Sequence, residues 1–163
     1  MLIFFVFPAY AGVIPDKMTP EGKKFMDTLR KLAEKEVRIG FQKGQAQDDD
    51  GTDICDIAMW NELGTANMPS RPFMRASVDD NEGKINKFLA SKKIDIVKGK
   101  NDEQILKEVG LFQKDLIQEK IGNGDFAPNA PATMKKKKSS KPLIDTGRMR
   151  QSVNYQIKEK GSD

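Results

Sequence analysis

The chain has 163 residues, 37% apolar and 32% charged, enough for one modest core and pointing to a single domain with long solvent-facing segments. Its 28 basic and 24 acidic residues leave a formal charge of +4, unlike the one-signed field of a dedicated nucleic-acid binder. With no histidine and one cysteine, Cys55, the sequence excludes Ser-His-Asp and Cys-His catalysis, histidine ligation of metal or haem, multi-cysteine zinc sites and an intrachain disulfide.

Residues 1–15, MLIFFVFPAYAGVIP, are uncharged and broken by Pro8 and Pro15. The run is too short for a transmembrane helix. A secretory reading would use Ala9-Tyr10-Ala11 as its cleavage site, but the positive n-region is missing. The other readings are an apolar arm, residues 1–18, that docks on a neighbouring subunit, or a start at Met18. An apolar arm in water is an aggregation liability and is expected to be covered.

Thr19-Pro20 reads as an N-cap with proline in the first turn, and Phe25, Leu29, Leu32 and Ala33 predict a helix from about Pro20 to Glu36. Val37, Ile39 and Phe41 alternate with polar residues or glycine, the pattern of a strand with one buried face. Gly44 to Asp53 reads as a polar loop and Ile54 to Leu63 as a short helix stopped by Gly64. Met68 to Pro72 is a proline-stiffened connector. Phe73 to Leu89 reads as helical, with Val78, Ile85, Phe88 and Leu89 as core positions and Gly83 as a weak point. Ile94, Ile96 and Val97 form a short strand or a ragged helix end.

Asn101 with Gln104 makes a capping box ahead of Ile105, Val109, Phe112 and Leu116, the clearest helical pattern in the chain. Ile121-Gly122-Asn123-Gly124 is expected to stop it, since glycine and asparagine tolerate a left-handed C-cap. Asp125 to Pro142, rich in proline and lysine, reads as a long, exposed, mobile loop. Asp145 is expected to N-cap a short turn or helix through Val153, and Val153, Tyr155 and Ile157 alternate as a last strand. The fold class is α+β: a small, mainly antiparallel sheet packed against two or three helices, one domain over residues 19–163 with a flexible basic loop at about 125–142.

Two segments carry a resemblance. Asn61 to Arg75, NELGTANMPSRPFMR, with Ala58 before it, resembles an (A)xxNE(F/L)GT element followed by (P)xRPFxR in tail-completion, neck and virion-morphogenesis proteins of tailed bacteriophages. Ala127 to Thr133, then Lys141 to Met149 (KPLIDTGRM), is similar to the P-x-x-P-x-T…KPLIDTG element of the same group, and Val37 to Phe41 sits where these proteins carry a first strand. The leader and the run Lys135 to Lys138 depart from that pattern.

The resemblance implies a structural protein, not an enzyme, without catalytic residues, metal or cofactor. It implies a ring, a hexamer by the six-fold symmetry of tails, that completes the tail or neck and meets the tail tube or terminator protein and the connector or head-closure proteins. The expected location is the head-tail junction of the virion, and the host cytoplasm during assembly, with no membrane. A minor capsid or tail-terminator role is the near alternative. The resemblance makes Glu62, Arg71, Phe73, Arg75, Asp145 and Arg148 the candidate contacts to a subunit or partner.

Physically, Arg71 and Arg75 would share one helix face and suit bidentate contact with carboxylates of an adjacent subunit, although Arg71 has Glu62 or Asp56 as options within the chain. Phe73 and Trp60 also read as core. Lys135, Lys136, Lys137, Lys138 and Lys141 form a solvated run or a sequence-independent contact to DNA in a channel, which opens a second class, a DNA-binding accessory protein. Asp145-Thr146-Gly147 matches the triplet of aspartic proteases, but the basic turn that follows is unlike a substrate-cleft strand. Asp48, Asp49, Asp50 and Asp53 lack the spacing of a calcium loop.

Overall fold

The computed structural model describes residues 2–6, 18–137 and 139–162, and the fold grows from local signals at its first helix. The Thr19 hydroxyl accepts from the Gly22 N–H, and α1 runs Pro20–Glu34. It passes directly into strand β2, Lys35–Gly40, whose Val37 and Ile39 are fully buried on one face with Phe41 just beyond. On the opposite face Arg38 and Glu36, two residues apart, meet in an ion pair at 2.6 Å.

β2 is the middle of a three-stranded antiparallel sheet in the order β1-β2-β3. β3 is Asn154–Glu159, with Tyr155 opposite Ile39 and Ile157 opposite Val37. β1 is Leu2–Val6, so this part of the leader pairs with β2 of its own chain. The remaining leader positions, 1 and 7–17, lie outside the described residues.

Asp53 accepts from the Cys55 N–H to cap α2, Ile54–Leu63. Gly64 ends it at φ 79°, where an added Cβ would stand 2.8 Å from the Ser70 nitrogen, so this position requires glycine twice over. The helix expected across 73–89 is two: α3, Phe73–Asp79, and α4, Glu82–Val97. The break falls at Asp80-Asn81, before Gly83. The Asn81 side-chain amide donates to the Ser77 carbonyl, the acceptor its own N–H would use in a continuous helix, and that N–H turns to Val78. Ile94 and Val97, read as a strand or ragged end, are exposed on α4, while Ile96 is buried.

Asn101 accepts from the Gln104 N–H at 2.9 Å and opens α5, Asp102–Asn123, the longest helix described. It packs against β2, with Ile105, Leu106 and Ile117 in one buried cluster with Val37 and Ile39, and meets β3 where Gly110 faces the Tyr155 ring. α4 packs beside it through stacked Phe88 and Phe112 rings, centroids 4.0 Å apart. Gly124 ends α5 at φ −66°, so it is not the expected left-handed cap; glycine is needed because a Cβ would stand 2.6 Å from the Lys120 carbonyl oxygen and 2.1 Å from the Phe126 ring. The stretch read as an unbroken loop holds a short helix α6, Pro131–Lys136, and α7, Arg148–Gln151, precedes β3. Among the described residues no helix is long and apolar enough to cross a membrane.

Candidate functional site

Arg71 sits in the turn between α2 and α3, where its N–H donates to the Asn61 carbonyl at 2.7 Å. Its side chain, 2% exposed, reaches to the segment after α5. Nε donates to the Ala127 carbonyl at 2.8 Å, a residue 56 positions away. Nη2 donates to the Pro128 carbonyl at 3.2 Å and to Asn129 Oδ1 at 3.1 Å, and Nη1 to Asn61 Oδ1 at 3.2 Å. The planar fork suits this fan of acceptors. Burial lowers the guanidinium pKa, because the charged form loses water.

Glu62, one residue from Asn61 at the end of α2, is turned the other way. Its two carboxylate oxygens accept from the Met74 N–H at 2.8 Å and the Arg75 N–H at 3.1 Å, capping the first turn of α3 from a neighbouring helix. Phe73 is fully buried, its ring edge-on to Phe41 with centroids 6.0 Å apart. Glu62, Arg71 and Phe73 are therefore internal, which corrects the interface expectation for Glu62 and Arg71 and agrees with the core reading of Phe73. Arg71 bonds neither Glu62 nor Asp56. Trp60, read as core, is 43% exposed, on the same side of α2 as exposed Met59 and Leu63. The sequence pattern cannot separate these outcomes, because α2 is apolar on more than one face.

The second motif segment closes on the first. Leu143 and Met149 are buried, and the cleft between the segments, about 210 Å³, is lined by Ile54, Ile57, Arg71, Asn129, Lys137 and Leu143 among others. Asp145 is exposed at its lining and does not cap α7. Gly147, at φ 84°, holds the N-cap position, and Thr146 Oγ1 accepts from the Arg148 N–H at 3.4 Å. Arg148 pairs with Asp49 at 2.6 Å and Asp48 at 3.5 Å, which ties the acidic loop to this motif. Asp53 of that loop is the α2 cap. Its carboxyl is held below the usual carboxylate range by the Gly44 and Cys55 N–H groups. Among the described residues no group of three or more His, Cys, Asp or Glu side chains is arranged to hold a metal.

The lysine run separates into different environments. Lys135 and Lys136 are exposed at the end of α6. Lys137 is half-buried and donates to the Pro142 carbonyl at 2.9 Å. Burial lowers its pKa, opposed by the charge of Asp145 and reinforced by that of Arg71. Lys141 donates to the Gly122 carbonyl and to Asn123 Oδ1, placing a cation on the C-terminal end of α5. Lys138 lies outside the described residues. Arg75 is exposed. Asn129 and Lys137 are the residues whose role the sequence did not reveal; both sit in stretches read as loop, and the Pro-x-x-Pro frame around Asn129 was the only local signal.

Comparison of the chain with protein-family models, with curated proteins and with solved structures finds no match.

Proposed function

We propose that the protein is a structural component of a tailed-bacteriophage virion, a tail-completion or neck protein that forms a ring at the head-tail junction. The observation that carries this reading is the union of the two motif segments. They lie far apart in sequence, each resembles the same group of assembly proteins, and Arg71 bonds one to the other. A buried arginine bridging the two gives a rigid unit, which suits a protein whose work is to present fixed surfaces to neighbouring rings. Exposed Met59, Trp60 and Leu63 on one side of α2 supply apolar surface of the kind assembly proteins cover. Arg75, Asp145 and Arg148 remain as polar contacts at the surface, while Glu62, Arg71 and Phe73 act from within.

The test is localisation. Antibody or mass-spectrometric detection in purified virions, with density at the head-tail junction, is the expected result; absence from intact virions overturns the reading. Copies elsewhere in the particle would move the assignment to the minor capsid or tail-terminator alternative.

The second reading, a sequence-independent DNA contact, is favoured by exposed Lys135 and Lys136 at the end of α6. It predicts weak binding to any duplex that falls steeply with salt, and no shift at low ionic strength removes it.

A further inference from the structure

The cleft between the two motif segments contains a polar group that the fold leaves unanswered. Asn129 is 8% exposed and its Oδ1 accepts from Arg71. A guanidinium only donates, so this bond fixes which end of the amide is oxygen and which is nitrogen. Nδ2 is then a buried donor with no acceptor among the described residues. Buried donors are almost always paired, and one that is not marks strain, a water site or a missing ligand.

Arg71 is answered by hydrogen bonds but not by charge. Its hydrogen-bond acceptors are carbonyl and amide oxygens, and it makes no ion pair with a carboxylate among the described residues. Lys137, lining the same cleft, places a second cation near it, and burial lowers the pKa of both. A buried charge without a counter-ion is costly, and half-buried Lys137, on which the charge of Asp145 also acts, adds positive potential at the same cleft.

We propose that this cleft binds a carboxylate carried on a short aliphatic stem, the oxyanion accepting from Lys137 Nζ in the field of Arg71, beside the unanswered Asn129 amide. Ile54, Ile57, Met68 and Leu143 provide apolar wall for the stem. Asp48 and Asp145 also line the cleft, which disfavours a dianionic phosphate and favours a monoanion. The volume, about 210 Å³, suits a group the size of a glutamate side chain or a peptide C-terminus. The chemistry is the same whether that carboxylate belongs to a free acid or to a partner segment. This inference is independent of the virion reading.

The probes are butyrate, with butyramide as the neutral control, then N-acetyl-glutamate α-amide for a side-chain carboxylate and N-acetyl-leucine for a main-chain one. Heteronuclear NMR of the full chain reads the Asn129 side-chain amide and the backbone from 127 to 149. Butyrate is expected to move the Asn129 amide saturably and butyramide is not. The stronger of the two amino-acid probes identifies the source. Lys137→Met is expected to weaken binding about tenfold, the loss of one charge-assisted hydrogen bond. Asn129→Asp, which brings a carboxylate to Arg71 from within, is expected to abolish it and raise the thermal midpoint. No saturable shift with butyrate, equal shifts with butyramide, or binding unchanged in folded Lys137→Met each overturns the proposal.

Discussion

Arg71 and Glu62 are polar side chains that act inside the molecule, and each has a substitution that isolates its role. Arg71→Lys keeps the charge but gives up the fork, since one ammonium cannot reach the carbonyls of Ala127 and Pro128 together with both asparagines. It is expected to cost about 2 kcal/mol or more in urea denaturation, because it leaves buried acceptors unpaired. Glu62→Gln retains one acceptor oxygen of two for the Met74 and Arg75 N–H groups. Its expected cost is about 1 kcal/mol, the scale of a lost helix cap. Neither role was legible in the sequence. The spacing of Arg71 and Arg75 suggested a shared helix face, but Arg71 precedes the helix and its acceptors come from a distant stretch.

At the scale of elements, the contact between α4 and α5 is electrostatic as well as apolar. Lys92 bonds Asp95 at 2.8 Å and Glu108 at 2.6 Å, and Lys100 bonds the same two carboxylates at 3.1 and 2.8 Å. The Asp95 carboxyl is held below the usual range by Lys92 and then Lys100, and Glu108 by Lys100 and then Lys92. A depressed folded-state pKa contributes stability that is present above the unfolded value, near 4, and is lost as pH falls through the folded value. Urea denaturation at descending pH is expected to show stability falling from the ordinary carboxylate range downward, with a shallower fall in Glu108→Gln. The Lys92 side of the network has the opposite sign. Burial pushes its pKa down, but the bonds to Asp95 and Glu108 prevail and raise it, so that contribution persists at neutral pH and is lost only in strong alkali.

The junction of α5 with the sheet rests on Gly110, where a Cβ would stand 2.4 Å from a ring carbon of Tyr155. Gly110→Ala is expected to destabilise by about 1–3 kcal/mol despite the better helix former, because the ring must move, and Tyr155→Leu in the same chain should recover part of the loss. Thermal unfolding of the single and double variants measures both. The α5 pattern and the β2 and β3 alternations were legible because the apolar side chains of each fall on one face and so impose its period on the sequence. The split between α3 and α4 was not, since it depends on which carbonyl the Asn81 side chain takes.

For the whole molecule, the segment after α5 is held to the body at its start and exposed at the end of α6. Proteinase K on the native chain is therefore expected to cut first near Lys135 and Lys136 and to spare 127–129, where Arg71 bonds the backbone. In Arg71→Ala the cut should spread upstream into 127–131, read by mass spectrometry of the first fragments. The sequence by itself determined the α+β class, helices α1, α2 and α5 close to their ends, and strands β2 and β3, because caps and hydrophobic periods are written in neighbouring residues. Only the tertiary structure decided that the Asn61–Arg75 and 127–149 segments form one unit, that Glu62, Arg71 and Phe73 face inward, and that Trp60 faces out. Those outcomes depend on which groups meet across long stretches of chain, where a buried donor takes whatever acceptor the packing brings within reach.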